Sequence, residues 1–458
     1  MTDDQRQSAR DRAVWKRIVL VGVTGALPLF LVALVLIHVA YSDAVDFGLQ
    51  EQRGTAFERP LERLFELVPL YRLEAQHQLG AGVAAAPRPP EIERRIDDAL
   101  RAVTLAYDGE LGRALRFSDA ELGARHRPDA RLAELQDRWR RLKQAPLEVA
   151  ASAGGTSQLL ECLRAMIQHA GDTSNLVLDD DLDSFYVMDI AVSALPQTQQ
   201  RLSEITERVG DWLRHGQAGE KVTQIAVMAA LLRQSDLARI TRDEKTALSE
   251  DSRFNGPSPS LQLNLPAAVS RFDAADQILL ALLDRIVAGQ AVSADELEAA
   301  GRNASGASFR LFDTSVDELD QLLAVRIQAI RGKRLQGYAV IIATLALAGF
   351  AMGLIMRSLL AARYAEILKT QEELRAKEAQ LRTLGDNLPD GMTYQVMRDF
   401  DGTMRFLYVS GGVQRLHGLS ADAVLADPAA LYGQIFPQDL PNLQAAERES
   451  LSRMKPFK

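Results

Sequence analysis

The chain is poor in cysteine, in aromatic side chains and in excess positive charge. Its only cysteine is Cys162, which excludes an internal disulfide and a cysteine-rich metal site. We expect Cys162 to be a small buried side chain on a helix, with an intermolecular disulfide as the alternative. Aromatic residues make up 6% of the 458 residues, and the net charge of −8 gives no basic footprint for nucleic acid.

Motifs of catalysis are also absent from the sequence. It has no phosphoacceptor His-Glu box, no phosphate-binding Gly-rich loop, no Gly-Gly-Asp/Glu-Glu-Phe motif and no nucleophile motif. The six histidines are His38, His77, His126, His169, His215 and His417. We therefore assign no catalytic residue and no metal ligand.

Two uncharged apolar runs are long enough to cross a membrane. Tyr338–Met356, within a span placed at 337–356, covers about 28 Å as a helix, which is close to the hydrocarbon thickness of a bilayer. The run at 18–40 is longer than the apolar part of a cleaved signal peptide, the alternative interpretation. Pro28 lies within it, and membrane helices tolerate such a proline. A buried helix of a soluble protein is the alternative for the second run.

The charges that flank the two runs predict the topology. Residues 1–17 are rich in arginine, which favours a cytoplasmic N-terminus. The chain then returns to the cytoplasm after the second span, and residues 41–334 form an extracytoplasmic domain. The basic cluster at Arg331–Arg334 opposes this orientation, whereas Arg357, Arg363 and Lys369 support it.

The domain at 41–334 has apolar residues at helical spacing almost throughout, with no alternating strand pattern. We expect helices at 44–79, 91–107, 129–144, 155–177, 181–215, 219–250, 263–288 and 294–333. Breaks are expected at Gly80–Pro90, Gly154–Gly155, Gly216–Gly219 and Asn255–Pro259. Helices of this length predict antiparallel bundles, arranged as two stacked four-helix modules whose first and last helices continue into the membrane spans.

The acidic stretch at 171–189 is the most distinctive part of this domain. Its consecutive aspartates, Asp179–Asp181, are suited to cap the following helix. Alternatively, its polar side chains form a sensor site in the bundle. The candidate ligand-binding residues are Asn175, Asp183, Tyr186 and Asp189. A cation site is a third interpretation, although the calcium-loop pattern lacks its Gly and its terminal Glu.

After the second span, residues 357–385 should continue as a helix. Ile367, Leu374 and Leu381 are seven residues apart, which predicts a short parallel coiled coil between two copies of the chain. Thr370 and Lys377 take the alternate seam positions and would weaken it. A solvated connector helix is the alternative.

From Asp386 onwards the pattern changes to mixed strands and helices. We expect strands at 392–396 and 404–410, joined by a turn at 399–403. Helical pieces should follow at 412–417, 421–426 and 438–454. Two strands alone are marginal in stability.

Two sets of residues resemble known families. Glu51–Leu61, the stretch Gly171–Asp189 and Leu195-Pro196 resemble the helical periplasmic region of bacterial sensor histidine kinases and of GGDEF-type diguanylate cyclases. Asn387–Gly391, Tyr408–Ser410, Gly418–Ser420 and Ile435–Asp439 resemble the start of a PAS domain. Phe436 and Gln438 depart from the usual residues of the last motif.

The resemblance implies a mostly α protein: a periplasmic bundle between two inner-membrane helices, a coiled-coil linker and, at 386–458, the first part of an α+β PAS domain. It also implies that the chain is a fragment of a longer protein. The expected function is the sensory and transmembrane-signalling portion of a histidine kinase. The front end of a diguanylate cyclase and a non-enzymatic receptor are the alternatives. The expected partners are the lipid bilayer, a second copy in a parallel homodimer and, for a kinase, a response regulator. No cofactor is evident, and ATP is expected only for the kinase module.

Overall fold

The computed structural model describes residues 3–80, 90–399 and 403–453, and the protein is mostly helical. The chain forms two compact units, Met1–Ile342 and Ala343–Lys458. In chain order the helices of the first unit are α1 (Asp3–Gly80), α2 (Pro90–Asp108), α3 (Glu110–Ala114), α4 (Asp119–Ala124), α5 (Leu132–Gln144), α6 (Leu147–Ala150), α7 (Ala153–Thr173), α8 (Leu182–Met188), α9 (Leu195–Arg214), α10 (Val222–Leu231), α11 (Ala238–Glu250), α12 (Pro259–Val287) and α13 (Ala294–Asp386). The last of these, α13, extends into the second unit.

Local signals explain where several helices begin and end. Ser152 and Ser258 cap α7 and α12, each accepting a hydrogen bond from a backbone N–H of the first turn. The predicted break at Gly154–Gly155 is wrong, because both glycines lie in the first turn of α7. The predicted break at Gly80–Pro90 falls mainly on residues 81–89, outside the described residues.

Two π-helical turns, Asp189–Ala194 and Leu232–Leu237, interrupt otherwise continuous helices. The first joins α8 to α9, and the second joins α10 to α11. Single π turns inside α-helices are rare and frequently lie at functional sites. Neither was predicted, because apolar spacing alone does not distinguish a π turn from an α turn.

The long helices α1 and α13 lie side by side and run antiparallel. From one end to the other, the side-chain pairs are His38 with Tyr338, Glu51 with Arg326, Arg59 with Asp317, and His77 with Glu298. The paired stretch is about 60 Å long at the rise of an α-helix. The packing is close, since a Cβ atom on Gly48 would lie 2.8 Å from Ile327 Cγ1.

Two apolar cores stabilise the first unit. One is built mainly from α1, α2, α5 and α7, where Tyr71 packs edge-on against Trp139 with ring centroids 5.2 Å apart. It includes Cys162, which is buried as predicted and whose pKa burial raises to about 11. The other core is built from α8–α13 and includes Phe272 and Phe312. The two cores agree with the predicted helical bundle.

The apolar runs of α1 and α13 are not buried inside the protein. Both helices are long and apolar enough to cross a membrane, and nearly all side chains of their most apolar stretches are exposed. Leu29 and Phe350 are examples. Exposed apolar surface of this extent is unfavourable in water, which is weak support for a membrane protein.

The second unit contains a β-hairpin followed by short helices. Strands β1 (Tyr394–Arg398) and β2 (Met404–Val409) pair antiparallel, with a register shift between Gln395 and Val396. The helices are α14 (Gly412–His417), α15 (Ala421–Ala426), α16 (Ala429–Tyr432) and α17 (Leu440–Arg453). The hairpin and α14–α16 pack around a small core that includes Phe406, Val413 and Val424. The predicted strands exist, although β1 begins two residues later than expected.

Candidate functional site

A buried arginine joins α1, α13 and the loop before α8. The guanidinium of Arg326 donates hydrogen bonds to the carboxylates of Glu51 and Asp179, and its Nη1 lies 3.7 Å from Asp181 Oδ2. The side chains of Glu51 and Asp179 are fully buried, and that of Arg326 is 12% exposed. We call Arg326, Glu51, Asp179 and Asp181 the Arg326 cluster. Buried charges persist only when they are paired, so these three chain segments depend on one another.

The Arg326 cluster contains more carboxyl groups than cations. Among the described residues, Glu51 Oε1 and Asp179 Oδ2 are buried without a hydrogen-bond partner. Burial raises the pKa of Glu51 to about 8, although the Arg326 guanidinium acts in the opposite direction. Burial of the nearby Asp183 likewise raises the pKa of its carboxyl group to about 6. One arginine shared among several carboxyl groups makes the cluster sensitive to any added or removed charge.

The loop that carries Asp179 is shaped by local sequence. Asn175 takes the left-handed conformation with φ +67°, which asparagine tolerates better than most residues, and so ends α7. The side chain of Asp179 accepts a hydrogen bond from the backbone N–H of Asp181 at 3.0 Å, forming a tight polar turn. Helix α1 approaches this loop so closely that a Cβ atom on Gly54 would lie 2.4 Å from Ser174 Cβ.

The predicted capping of α8 by Asp179–Asp181 is wrong. Asp181 is the N-cap residue, but its side chain makes no capping hydrogen bond. Its Oδ2 accepts a hydrogen bond from the Asn255 amide at 3.2 Å instead. The aspartates therefore hold tertiary contacts to α13 and to the loop before α12, where the sequence predicted local contacts within one helix.

The four candidate ligand-binding residues have different surroundings. Asp189 forms a bidentate pair with Arg239, at 2.6 and 2.9 Å. Asp183 is buried and accepts a hydrogen bond from the backbone N–H of Ser184 at 2.8 Å. Tyr186 is half-buried, with its ring edge-on to Phe185, and the side chain of Asn175 is half-buried at the end of α7. Asp183 lies near the Arg326 cluster, since Asp179 and Asp181 both act on its pKa.

A second ionic cluster lies at the other end of the α1–α13 pair. Glu298 of α13 is buried and accepts hydrogen bonds from Arg214 of α9 and from His77 Nε2, the latter at 3.0 Å. Arg302 lies 3.9 Å from the same carboxylate. Helices α1 and α13 are thus joined by buried or half-buried polar contacts at two well-separated positions.

Sequence reasoning missed Arg326, Glu298 and the role of Glu51. Arg326 and Glu51 are 275 residues apart, so no local pattern links them. A usable signal was present in α1, where Glu51, Glu58 and Glu62 follow the same helical face as the buried apolar residues. A carboxylate on the apolar face of a helix requires a partner from another element.

Within the described residues, no group of three His, Cys, Asp or Glu side chains is placed to hold a metal ion. The acidic stretch is instead neutralised in part by arginines from distant helices. What this arrangement can do is couple the position of a loop to the positions of α1 and α13.

No protein-family model matches the chain, and searches of curated proteins and of solved structures also found no match. The resemblance to membrane sensors and to PAS domains therefore depends on the sequence motifs alone.

Proposed function

We propose that this chain is the sensory and transmembrane-signalling portion of a bacterial sensor histidine kinase in a two-component system. Residues 41–334 are the periplasmic sensor domain, residues 18–40 and 337–356 cross the inner membrane, and residues 386–458 are the first part of a PAS domain. The observation that carries the proposal is the Arg326 cluster, which ties the 175–183 region to the two helices that contain the apolar runs.

The proposed signal is a change in how α1 and α13 lie against each other. Each helix extends without interruption from the polar domain into its apolar run. A shift of the loop at 175–181 would move Asp179, and Arg326 and Glu51 would have to move with it or lose their contacts. A ligand drives such a shift only if it binds one of the two arrangements more tightly.

In the second unit, hydrogen bonds join the end of α13 to the region that we propose as the start of a PAS domain. Asp386 accepts a hydrogen bond from the backbone N–H of Gly411, and Arg415 donates to the backbone carbonyls of Asp386 and Leu388 at 2.7 and 3.0 Å. A displacement of this part of α13 would therefore reach the hairpin directly. In the proposed parallel homodimer, residues 357–385 of two copies pair as a coiled coil.

The proposed topology is tested by reporter fusions in the full chain. A periplasm-active enzyme inserted after Gly216 should be active, and the same enzyme fused after Asp386 should be inactive. A cytoplasm-active reporter should give the reverse pattern. Activity of one reporter at both positions would place the two regions in one compartment and overturn the proposal.

The output is tested with the coding sequence that follows codon 458. A histidine box followed by an ATP-binding region is the expected result, with a response regulator as the phosphoryl acceptor. A Gly-Gly-Asp/Glu-Glu-Phe domain would replace the kinase with a diguanylate cyclase. The absence of both would leave a non-enzymatic receptor.

A further inference from the structure

A groove on the first unit separates α7 from the π turn at Asp189–Ala194 and the start of α9. It has a volume of about 510 Å³, which is within the range of small-molecule sites. Its lining includes Glu161, Gln168, Gly171, Asp172, Val192 and Ser193. The groove also lies where the two apolar cores meet, because Val192 packs against both of them.

The π turn forms one wall of this groove. Val192 and Ser193 belong to the turn, and Pro196 and Gln197 of α9 continue the wall. A π turn widens a helix locally and changes the direction of its side chains. This distortion is concentrated next to the groove, in the same stretch that contains the candidate residue Asp189.

A carboxyl group with no partner lies behind the groove. Glu58 of α1 is 1% exposed, and neither of its oxygens has a hydrogen-bond partner among the described residues. A Cβ atom on Gly171 would lie 3.9 Å from Glu58 Oε1. Gly171 lines the groove and carries no side chain on the side that faces Glu58. The same Cβ atom would lie 3.2 Å from Val192 Cγ1, so the space beside Gly171 is bounded by Val192 on one side and by the Glu58 carboxyl group on the other.

Burial and the neighbouring Glu62 raise the pKa of Glu58 well above its ordinary value. An isolated buried carboxyl group is costly in either state, because its hydrogen-bonding capacity is unused. A primary ammonium group supplies up to three donors and the compensating charge. The other acidic groups of the groove, Glu161 and Asp172, favour the approach of a cation, although Asp172 is also paired with Arg127.

We propose that the groove between α7 and the π turn binds a small organic cation whose primary ammonium group pairs with Glu58 past Gly171. The cationic end enters beside Gly171, and the rest of the ligand lies along Val192 and Ser193. Arg164, which also lines the groove and donates to Gln200, limits the site to a ligand with an uncharged or hydrogen-bonding far end near it.

Glu58 also connects this site to the Arg326 cluster. It lies seven residues after Glu51 on α1, two helical turns along the same face. Pairing of Glu58 with a ligand cation would change the charge on that face of α1. The inference deepens the proposed function by naming the stimulus class. Its test measures binding directly, so binding can fail while the topology and output tests succeed.

The test uses the full chain in detergent micelles and isothermal titration with butylamine, its neutral counterpart 1-butanol serving as the comparison. Saturable binding of butylamine, at least tenfold tighter than that of 1-butanol, is expected. Glu58→Gln should weaken butylamine binding at least tenfold, and Gly171→Ala should do the same because its methyl group would lie between the groove and Glu58. Asp276→Asn is the matched control and should leave butylamine binding unchanged, since Asp276 is another buried carboxyl group whose two oxygens have no hydrogen-bond partner within the described part of the chain.

Each outcome decides for or against the site. Equal binding of butylamine and 1-butanol, or no binding of either, would overturn the proposal. Unchanged butylamine affinity in Glu58→Gln or Gly171→Ala would also overturn it, because these substitutions do not affect a cation bound nonspecifically at Glu161 or Asp172. Circular dichroism of each variant shows whether it is folded, and Gly171→Ala keeps the wild-type Glu58 if Glu58→Gln alters the fold.

Discussion

At the residue scale, Arg326 is the cation that the buried carboxylates of Glu51 and Asp179 share. We expect Arg326→Leu to lower the free energy of unfolding by about 3–5 kcal/mol, because it leaves two carboxyl groups buried without their charge partner. Thermal unfolding of the chain in micelles, followed by circular dichroism, measures the loss.

Arg59 provides the control for this substitution. It also joins α1 to α13, through Asp317 and Asp320, but its side chain is 37% exposed. Ion pairs with this exposure contribute about 0–1 kcal/mol. An Arg59→Leu variant that is as unstable as Arg326→Leu would contradict the special role given to Arg326.

Glu62 should make the stability of the protein depend on pH. It is buried and accepts a hydrogen bond from Gln199, and burial raises its pKa from 4.5 to about 8. The folded chain holds the Glu62 proton more tightly than the unfolded chain. The stabilisation that this proton gives to the folded chain is therefore fully present below about pH 4.5. It is lost as the pH rises towards 8, with a slope of at most about 1.4 kcal/mol per pH unit.

The measurement is a comparison of unfolding free energies across pH 5–8 for the wild type and Glu62→Gln. The variant should show a flatter dependence and should be the more stable of the two at pH 8. Glu74→Gln, at a partly exposed position further along α1, should keep the wild-type slope. Parallel curves for the wild type and Glu62→Gln would refute the assignment.

At the element scale, the register of α1 against α13 is the feature on which the signalling proposal depends. A Cβ atom on Gly337 would lie 3.3 Å from the Ile37 side chain, so the two positions face each other. We expect Ile37→Cys with Gly337→Cys to form an intramolecular disulfide under mild oxidation, detected by a mobility change on non-reducing gels.

A displaced cysteine pair provides the control for the register. Ile37→Cys with Arg331→Cys moves one cysteine six residues along α13, about 9 Å along the helix axis. Cysteines that far apart are not bridged without movement of the backbone. Cross-linking that is equally efficient in both pairs would mean that the register is not the one described.

The sequence predicted the long helices well, because apolar spacing is sustained over many turns in α2, α5, α9 and α12. It missed α3, α4 and α6, which have only four to six residues each and therefore too few turns to show a period. The Arg326 cluster could not be predicted from the sequence for a different reason. Its members come from three distant segments, and only tertiary packing brings them together.

At the scale of the whole molecule, the proposed parallel homodimer is open to a direct test. Leu374 is exposed on α13, at the centre of the heptad seam with Ile367 and Leu381. Leu374→Cys should cross-link two copies of the chain in native membranes, because seam positions of a parallel coiled coil face each other. Non-reducing gels should show a band at twice the mass of the chain.

Arg375→Cys is the control, since it lies one residue away and outside the seam. It should cross-link several-fold less than Leu374→Cys. Equal cross-linking at the two positions would indicate random collisions and would remove the support for a coiled coil at residues 357–385.

The burial of Cys162 has a practical consequence for all such measurements. Its thiol lies within an apolar core, and burial raises its pKa to about 11, so very little reactive thiolate is present at neutral pH. The native chain should therefore react very little with maleimide dyes and thiol-specific spin labels. A probe attached at a newly introduced surface cysteine would report on that single position, with the natural thiol left in place.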